Sequence, residues 1–225
     1  MRTIGDRTFY DCLEEVIGPS HTAVLVIDQQ NDFCHERGYY AQEMGLDVSM
    51  TRGSNEQINQ LTAAARTHGV MVIFTQFVIA EGFSSDSPMW LGIHVSAGLK
   101  SLNQDKFYTI EGTWGAELYD RMDVKDDDHV IKKLRGSAFY NTSLDSLLKE
   151  HGIESLIITG QVTEGCVEST IRAARDADYY TVLARDAIGS VSRERHDRVM
   201  SGWLARAYCP DTTEIIDIWD GLAEA

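Results

Sequence analysis

The sequence predicts an α/β protein: a mostly parallel six-stranded sheet with helices on both faces, a three-layer sandwich forming one domain over residues 1–225. Two observations lead there. Short apolar runs rich in β-branched residues, each too short for a helix, alternate along the chain with stretches whose apolar residues fall at helical spacing. No repeat, low-complexity tract or linker divides the chain, and 43% hydrophobic residues among 225 suffice for one sizeable core.

Residues 1–20 are mixed and polar and read as an N-terminal arm over the surface or over a neighbouring subunit. Thr22-Ala-Val-Leu-Val-Ile27 is the first buried strand and ends in Asp28. Residues 34–53, with Gly38, Gly45 and Gly53, read as an irregular loop. Ser54 is placed to cap a helix whose apolar face is Ile58, Leu61 and Ala65, closed by Gly69. Residues 70–74 form the second strand. The stretch 76–113 is the least regular, and so long a connection usually serves as a lid or pocket wall. A short helix is expected over 116–122, then a solvated acidic turn at 126–128. His129-Val-Ile-Lys132 is a short third strand ending in Lys133, and Leu144, Leu147 and Leu148 mark a helix closed by Gly152. Ser155-Leu-Ile-Ile158 is the fourth strand, followed by a helix carrying Val167, Ile171 and Ala174. Residues 180–184 are the fifth strand, ending near Asp186. Val199, Met200, Trp203, Leu204, Ala207 and Tyr208 stripe a helix within 192–209, and residues 213–216 read as a sixth, edge strand.

A net charge of −15 argues against nucleic acid or an anionic membrane as a partner. No apolar run reaches the ~18 residues of a membrane span, and the N-terminus lacks a secretory core. Cysteines at 12, 34, 166 and 209 show no paired spacing, which fits a reduced, cytoplasmic setting.

Ligands of such sheets bind beyond the carboxyl ends of the strands. Asp28, Lys133 and Cys166 each lie at or just after such an end, so topology brings a carboxylate, an amine and a thiol to one edge. With Thr163 as N-cap, Cys166 falls in a first helical turn, where unpaired N–H groups and the helix dipole favour a thiolate. Its thiol is therefore expected to ionise below the ~8.5 of free cysteine. A cysteine nucleophile needs a base, which Asp28 can be, and a positive neighbour, which Lys133 can be. Backbone N–H groups in the turn before the helix could hold an oxyanion. Taken singly, Asp28 reads equally as a turn cap, Lys133 as a surface lysine and Cys166 as a small packing residue. Together at one edge they read as a hydrolytic site.

Three segments carry a resemblance. Val24-Leu-Val-Ile-Asp28-x-Gln30-Asn31-Asp32-Phe33, Val130-Ile-x-Lys133-x-Arg135-x-Ser137-Ala-Phe139 and Thr159-Gly160-x-Val-Thr163-x-x-Cys166-Val167 resemble, in order, the isochorismatase-like cysteine hydrolase superfamily over about residues 20–220. The resemblance implies a Rossmann-like sheet and a catalytic triad of Asp28, Lys133 and Cys166. It also implies a non-proline cis peptide joining Gln161 to Val162, which would aim the Val162 N–H, with that of Cys166, at the substrate oxygen. A homo-oligomer, dimer or tetramer, is usual in this family.

Two departures narrow the branch. Isochorismatases proper have a small residue in place of the cysteine, so Cys166 argues for C–N bond hydrolysis. Nicotinamidases carry an Asp-x-His metal motif where this chain has Gln76-Phe-Val-Ile-Ala-Glu-Gly-Phe-Ser84, and His94 stands alone, so neither metal nor other cofactor is expected. Arg37-Gly38-Tyr39, Met44-Gly-Leu-Asp47, Gly112-Thr-Trp114 and Cys166-Val-Glu-Ser-Thr170 are similar to ureidoacrylate amidohydrolases and biuret hydrolases, with N-carbamoylsarcosine amidases as further relatives. The expected activity is hydrolysis of a small carbamoyl, ureido or amide substrate through a thioester. Asn31, Phe33, Gln76, Phe77, Arg135 and Tyr140 are candidate pocket residues, and Phe83, Trp90 and Trp114 could close over the ligand. The alternatives are isochorismatase-type vinyl-ether or lactam hydrolysis, a nicotinamidase-like activity on another amide, and a non-enzymatic binding role.

Overall fold

The computed structural model describes residues 1–96 and 107–223. The N-terminal arm is a small antiparallel hairpin, β1 (Arg2–Ile4) and β2 (Arg7–Phe9), followed by the short helix α1 (Leu13–Val16). The central strand β3 (Thr22–Ile27) comes next, with three short helices after it, α2 (Asn31–Cys34), α3 (Tyr39–Gln42) and α4 (Ser49–Gly53). The loop expected over 34–53 is thus partly helical. Helix α5 (Asn55–Thr67) leads to β4 (Met71–Phe77), and α6 (Pro88–Ser96) belongs to the long connection before β5 (His129–Lys133). Then follow α7 (Leu144–Glu150), β6 (Ser155–Gln161), α8 (Glu168–Asp176), β7 (Tyr180–Gly189), α9 (Arg193–Leu204) and α10 (Thr212–Ala223).

The central sheet has five strands in the order β5-β4-β3-β6-β7, all neighbours parallel. Six were expected; the difference is residues 213–216, which lie within α10. There Ile215 and Trp219, one helical turn apart, are both fully buried, and the Trp219 indole donates to the Ile17 carbonyl at 2.8 Å. Packing against the sheet overrides the β-branched character of that run.

The two sheet faces explain the three layers. Along β3, Ala23, Leu25 and Ile27 pack with Leu144, Leu148, Ile171, Met200 and Trp203 of α7, α8 and α9. The intervening Val24 and Val26 pack with Ile58, Leu61, Ala65, Ile215 and Trp219 of α5 and α10. Side chains alternate across a strand, so a run buried on both faces must be apolar at every position.

Two smaller expectations are corrected. Residues 116–122 do not form a helix: a 3-10 turn at Trp114–Ala116 is followed by extended chain in which Leu118 bridges to Gln30. The acidic turn at 126–128 is not wholly solvated, because Asp128 is held in a two-point pair by Arg66, at 3.0 and 2.6 Å, with its side chain only 3% exposed.

Candidate active site

The order of strands reverses at the β3–β6 junction, where an open parallel sheet leaves a crevice at its carboxyl edge. Asp28 follows the last residue of β3 with φ +50°, and Ile27 is in register with Gly160 of β6. The chain there is so tight that a Cβ on Gly160 would lie 2.1 Å from the Ile27 carbonyl oxygen, and Gly160 itself has φ +96°. Only glycine fits both conditions. The Gln161 side chain ties the two strand ends together by donating to the Asp28 carbonyl at 2.9 Å.

Lys133 comes from β5, with β4 between it and β3. Its Nζ passes 5.0 Å from the Phe77 ring centre and meets Asp28 Oδ2 at 2.7 Å, both side chains being at most 1% exposed. The ammonium also donates to the carbonyls of Arg135 and Gly136, each at 3.0 Å. Thr75 donates to the other carboxylate oxygen at 2.8 Å. The Asp28 carboxylate is in reach of both the ammonium and the Cys166 thiol. Burial alone would lower the Lys133 pKa; the charges of Asp28 and Cys166 outweigh it, and the amine is held firmly protonated.

Cys166 is half-buried above this pair, its thiol in hydrogen-bonding reach of both Asp28 and Lys133. The sheet edge thus brings the three expected residues together. Three details differ from expectation. Cys166 lies not in a regular first turn but in a widened π-type turn, Thr163–Val167, with Gly165 outside helical angles and α8 beginning only at Glu168. Nor does Thr163 cap it: its hydroxyl donates instead to the Gly189 carbonyl at 2.8 Å. The thiol is also not unusually acidic. Burial pushes it up to about 12, with Lys133 opposing the rise and Asp28 adding to it. The Gln161-Val162 bond is cis, at the expected position.

The remaining candidates separate. Phe33 and Phe77 are buried in an aromatic cluster with Tyr40 and Tyr108, their ring centres 4.7 to 6.2 Å apart. Gln76 is in register with Lys132 and lies on the face opposite Phe77 and Lys133; its amide donates to the Ala116 carbonyl at 3.1 Å. Asn31 spends both ends of its amide on backbone, donating to Trp114 O and accepting from Asp120 N, so it pins the 114–120 loop. Arg135 is likewise engaged: it donates to the Ser85 carbonyl at 2.9 Å, pairs with Asp86 at 3.6 Å and covers the Trp90 ring at 5.5 Å. Tyr140 is 58% exposed. Of the expected closing segment, residues 97–106 lie outside the described residues. Phe83 packs edge-on against Phe107, and Trp114 is 38% exposed beneath the Arg37 guanidinium.

Reading by strand ends missed Thr75, Tyr40 and Tyr108. Burial, together with the charges of Cys166 and Asp28, raises the Tyr40 phenol pKa, and burial, Tyr40 and Cys166 raise that of Tyr108, so both stay neutral beside the thiol. Thr75, a polar residue just after an apolar run, was the one with a visible signal. Among the described residues no group of three or more His, Cys, Asp or Glu side chains could hold a metal ion, and no helix is long and apolar enough to cross a membrane.

Comparison with known proteins gives consistent findings. A family model described as the isochorismatase domain matches residues 22–208. A ureidoacrylate amidohydrolase RutB of Variovorax paradoxus (strain S110) is 37% identical over 177 residues, 75% of this chain and 68% of the relative. Among solved structures, a cysteine hydrolase from Pseudomonas syringae pv. phaseolicola 1448A superposes with a TM-score of 0.78 at 26% identity, over 92% of this chain and 95% of that one. N-carbamoylsarcosine amidase from Thermoplasma acidophilum, at 19% identity and a TM-score of 0.65 over 85% and 96% of the two chains, shares the fold.

Proposed function

Because the chain belongs to the isochorismatase family, we propose that it is a cysteine amidohydrolase that cleaves a C–N bond in a small ureido, carbamoyl or amide substrate. The observation that carries this reading is the buried Asp28–Lys133 ion pair directly beneath the Cys166 thiol. A carboxylate, a fixed cation and a thiol in mutual reach are what nucleophilic acyl transfer needs.

The chemistry follows from the proton inventory. With its pKa raised by burial, the thiol carries its proton at rest, in hydrogen-bonding reach of the Asp28 carboxylate. As Sγ attacks the substrate carbonyl, Asp28 takes the thiol proton. The tetrahedral oxyanion rests on the N–H groups of Val162, just after the end of β6, and of Cys166, in the widened turn that follows it. Collapse breaks the C–N bond, and Asp28 returns the proton to the departing ammonia or amine, leaving a thioester. Water deprotonated by Asp28 then hydrolyses the thioester, releasing the acid and restoring the thiol. Lys133 keeps its charge throughout and compensates the negative charge that moves between Asp28, Cys166 and the substrate.

A compact aromatic wall of Phe33, Tyr40, Phe77 and Tyr108 suits a small planar substrate, with Arg135 securing the segment around Trp90. The relative named a ureidoacrylate amidohydrolase supports a ureido compound as the preferred class. The test is kcat/KM, by release of ammonia or acid, across ureidoacrylate, biuret, N-carbamoyl amino acids, maleamate, nicotinamide and simple aliphatic amides. A ureido or carbamoyl compound is expected to lead. Nicotinamide or a bulky aryl amide in first place would overturn the substrate class and leave the triad chemistry standing.

A further inference from the structure

We propose that His196 of α9 is a positioning residue for the nucleophile, acting through Thr163 at the start of the turn that carries Cys166. The proposal rests on the reading of Cys166 as the nucleophile.

Two short contacts converge on one hydroxyl. Thr163 Oγ1 lies 2.8 Å from the Gly189 carbonyl oxygen and 2.8 Å from His196 Nδ1. A carbonyl can only accept, so the single hydroxyl proton goes to Gly189, and the histidine must supply the other proton from Nδ1. The result is a directed chain, His196 Nδ1–H to Thr163 O–H to Gly189 C=O. Thr163 is fully buried and His196 is 8% exposed. Burying an imidazole where an aliphatic side chain would pack is unfavourable unless its hydrogen bond is needed. Desolvation and Arg193 lower the His196 pKa, so the ring is neutral at neutral pH.

Both ends of the chain are anchored. His196 shares one face of α9 with Met200 and Trp203, which are buried in the core. Gly189 is pressed against α4: a Cβ there would lie 2.9 Å from the Thr51 Cα. Neighbouring links run the same way, for Ser190 donates to Glu164 at 2.7 Å and Arg195 pairs with Glu164 at 3.4 Å. The β7–α9 connection therefore grips the first two residues of the nucleophile turn. The bonds on the C-terminal side of that turn tie it to α8, whereas its first residue is held by the Thr163 hydroxyl. Gly165 and Val167 donate to the Val162 carbonyl, Glu168 donates to the carbonyls of Thr163 and Gly165, and the Thr170 hydroxyl holds the Cys166 carbonyl at 2.7 Å, while Gly165 sits at φ −115°, ψ −106°. Released at Thr163, the turn can rewind toward a regular helix. Cys166 and its N–H would then shift relative to the fixed Asp28–Lys133 pair, and displacements near 1 Å can lower rates about a hundredfold.

The experiment is a double-variant cycle read on turnover of the fastest substrate in the panel, with the iodoacetamide alkylation rate of Cys166 and the melting temperature measured in parallel. His196→Ala and Thr163→Val should each lower kcat by about tenfold or more while KM stays within about threefold. His196→Asn, whose amide N–H falls near the Nδ1 position, and Thr163→Ser should stay within about threefold of the parent enzyme. The double variant should be no worse than the poorer single one, because the two residues act as a unit. Should His196→Ala fail to fold, the Thr163→Val and Thr163→Ser pair decides. The proposal is overturned if His196→Ala keeps the parent kcat, if His196→Asn is as impaired as His196→Ala, or if the losses multiply in the double variant. Turnover surviving in Cys166→Ala would instead overturn the underlying assignment of the nucleophile.

Discussion

Cys166 shows how far a residue's chemistry depends on partners distant in sequence. Its position after a strand end was legible, as were those of Asp28 and Lys133, because apolar runs ending in a polar residue mark the carboxyl edge of a parallel sheet. Its acidity was not. The burial that raises the thiol to about 12 comes from tertiary packing around the turn, which no local pattern encodes. Alkylation of Cys166 by iodoacetamide should accordingly be slow at pH 7 and rise about tenfold per pH unit up to pH 10, following the thiolate fraction. Peptide mapping against pH checks this; a plateau below pH 8 would contradict it. Because Asp28 is one of the groups that raise the thiol, Asp28→Asn should move the alkylation curve to lower pH. The same variant should lose at least ~10²-fold in kcat, having no base, and ~3–5 kcal/mol in stability, because it strands the buried Lys133 charge. Calorimetry and steady-state rates measure both. Gln76 illustrates a different limit. The second strand, read as 70–74, runs from Met71 to Phe77, and its far end decides which of two adjacent side chains faces the site.

At the scale of elements, the central strands β3 and β6 were legible because strands buried on both faces read as near-continuous apolar runs, whereas the edge strand β5 is half exposed and showed only a short run before Lys133. The C-terminal element was misread for the same reason in reverse: four residues with two adjacent isoleucines satisfy a strand pattern, and only Trp219 a turn further on betrays the helix. The β3–β6 junction makes a sharp demand on sequence. Gly160→Ala should destabilise the protein by ~3 kcal/mol, through its positive φ and the contact with Ile27, and should lower activity even at temperatures where the variant stays folded. Denaturant melts paired with rates test this, and an unchanged midpoint would mean that the junction yields more easily than its geometry implies.

For the whole molecule, the chemistry described uses only side chains and backbone, and no cluster of ligating residues stands among those described. Exhaustive chelation is therefore expected to leave kcat/KM unchanged; activity lost to a chelator and restored by zinc, iron or manganese would contradict the proposed mechanism. The strand order has a further consequence, felt during synthesis. While the ribosome has delivered only the first 150 or so residues, β3, β4 and β5 can pair, but β3 keeps one whole edge open until β6 arrives. That edge belongs to six residues with no solvent exposure in the finished protein, and it is a ready template for another nascent chain. Slow translation or truncation between residues 134 and 155 should thus favour aggregation over accumulation of a soluble fragment. The junction at which the nucleophile and its base finally meet is also the last seam of the sheet's centre to close.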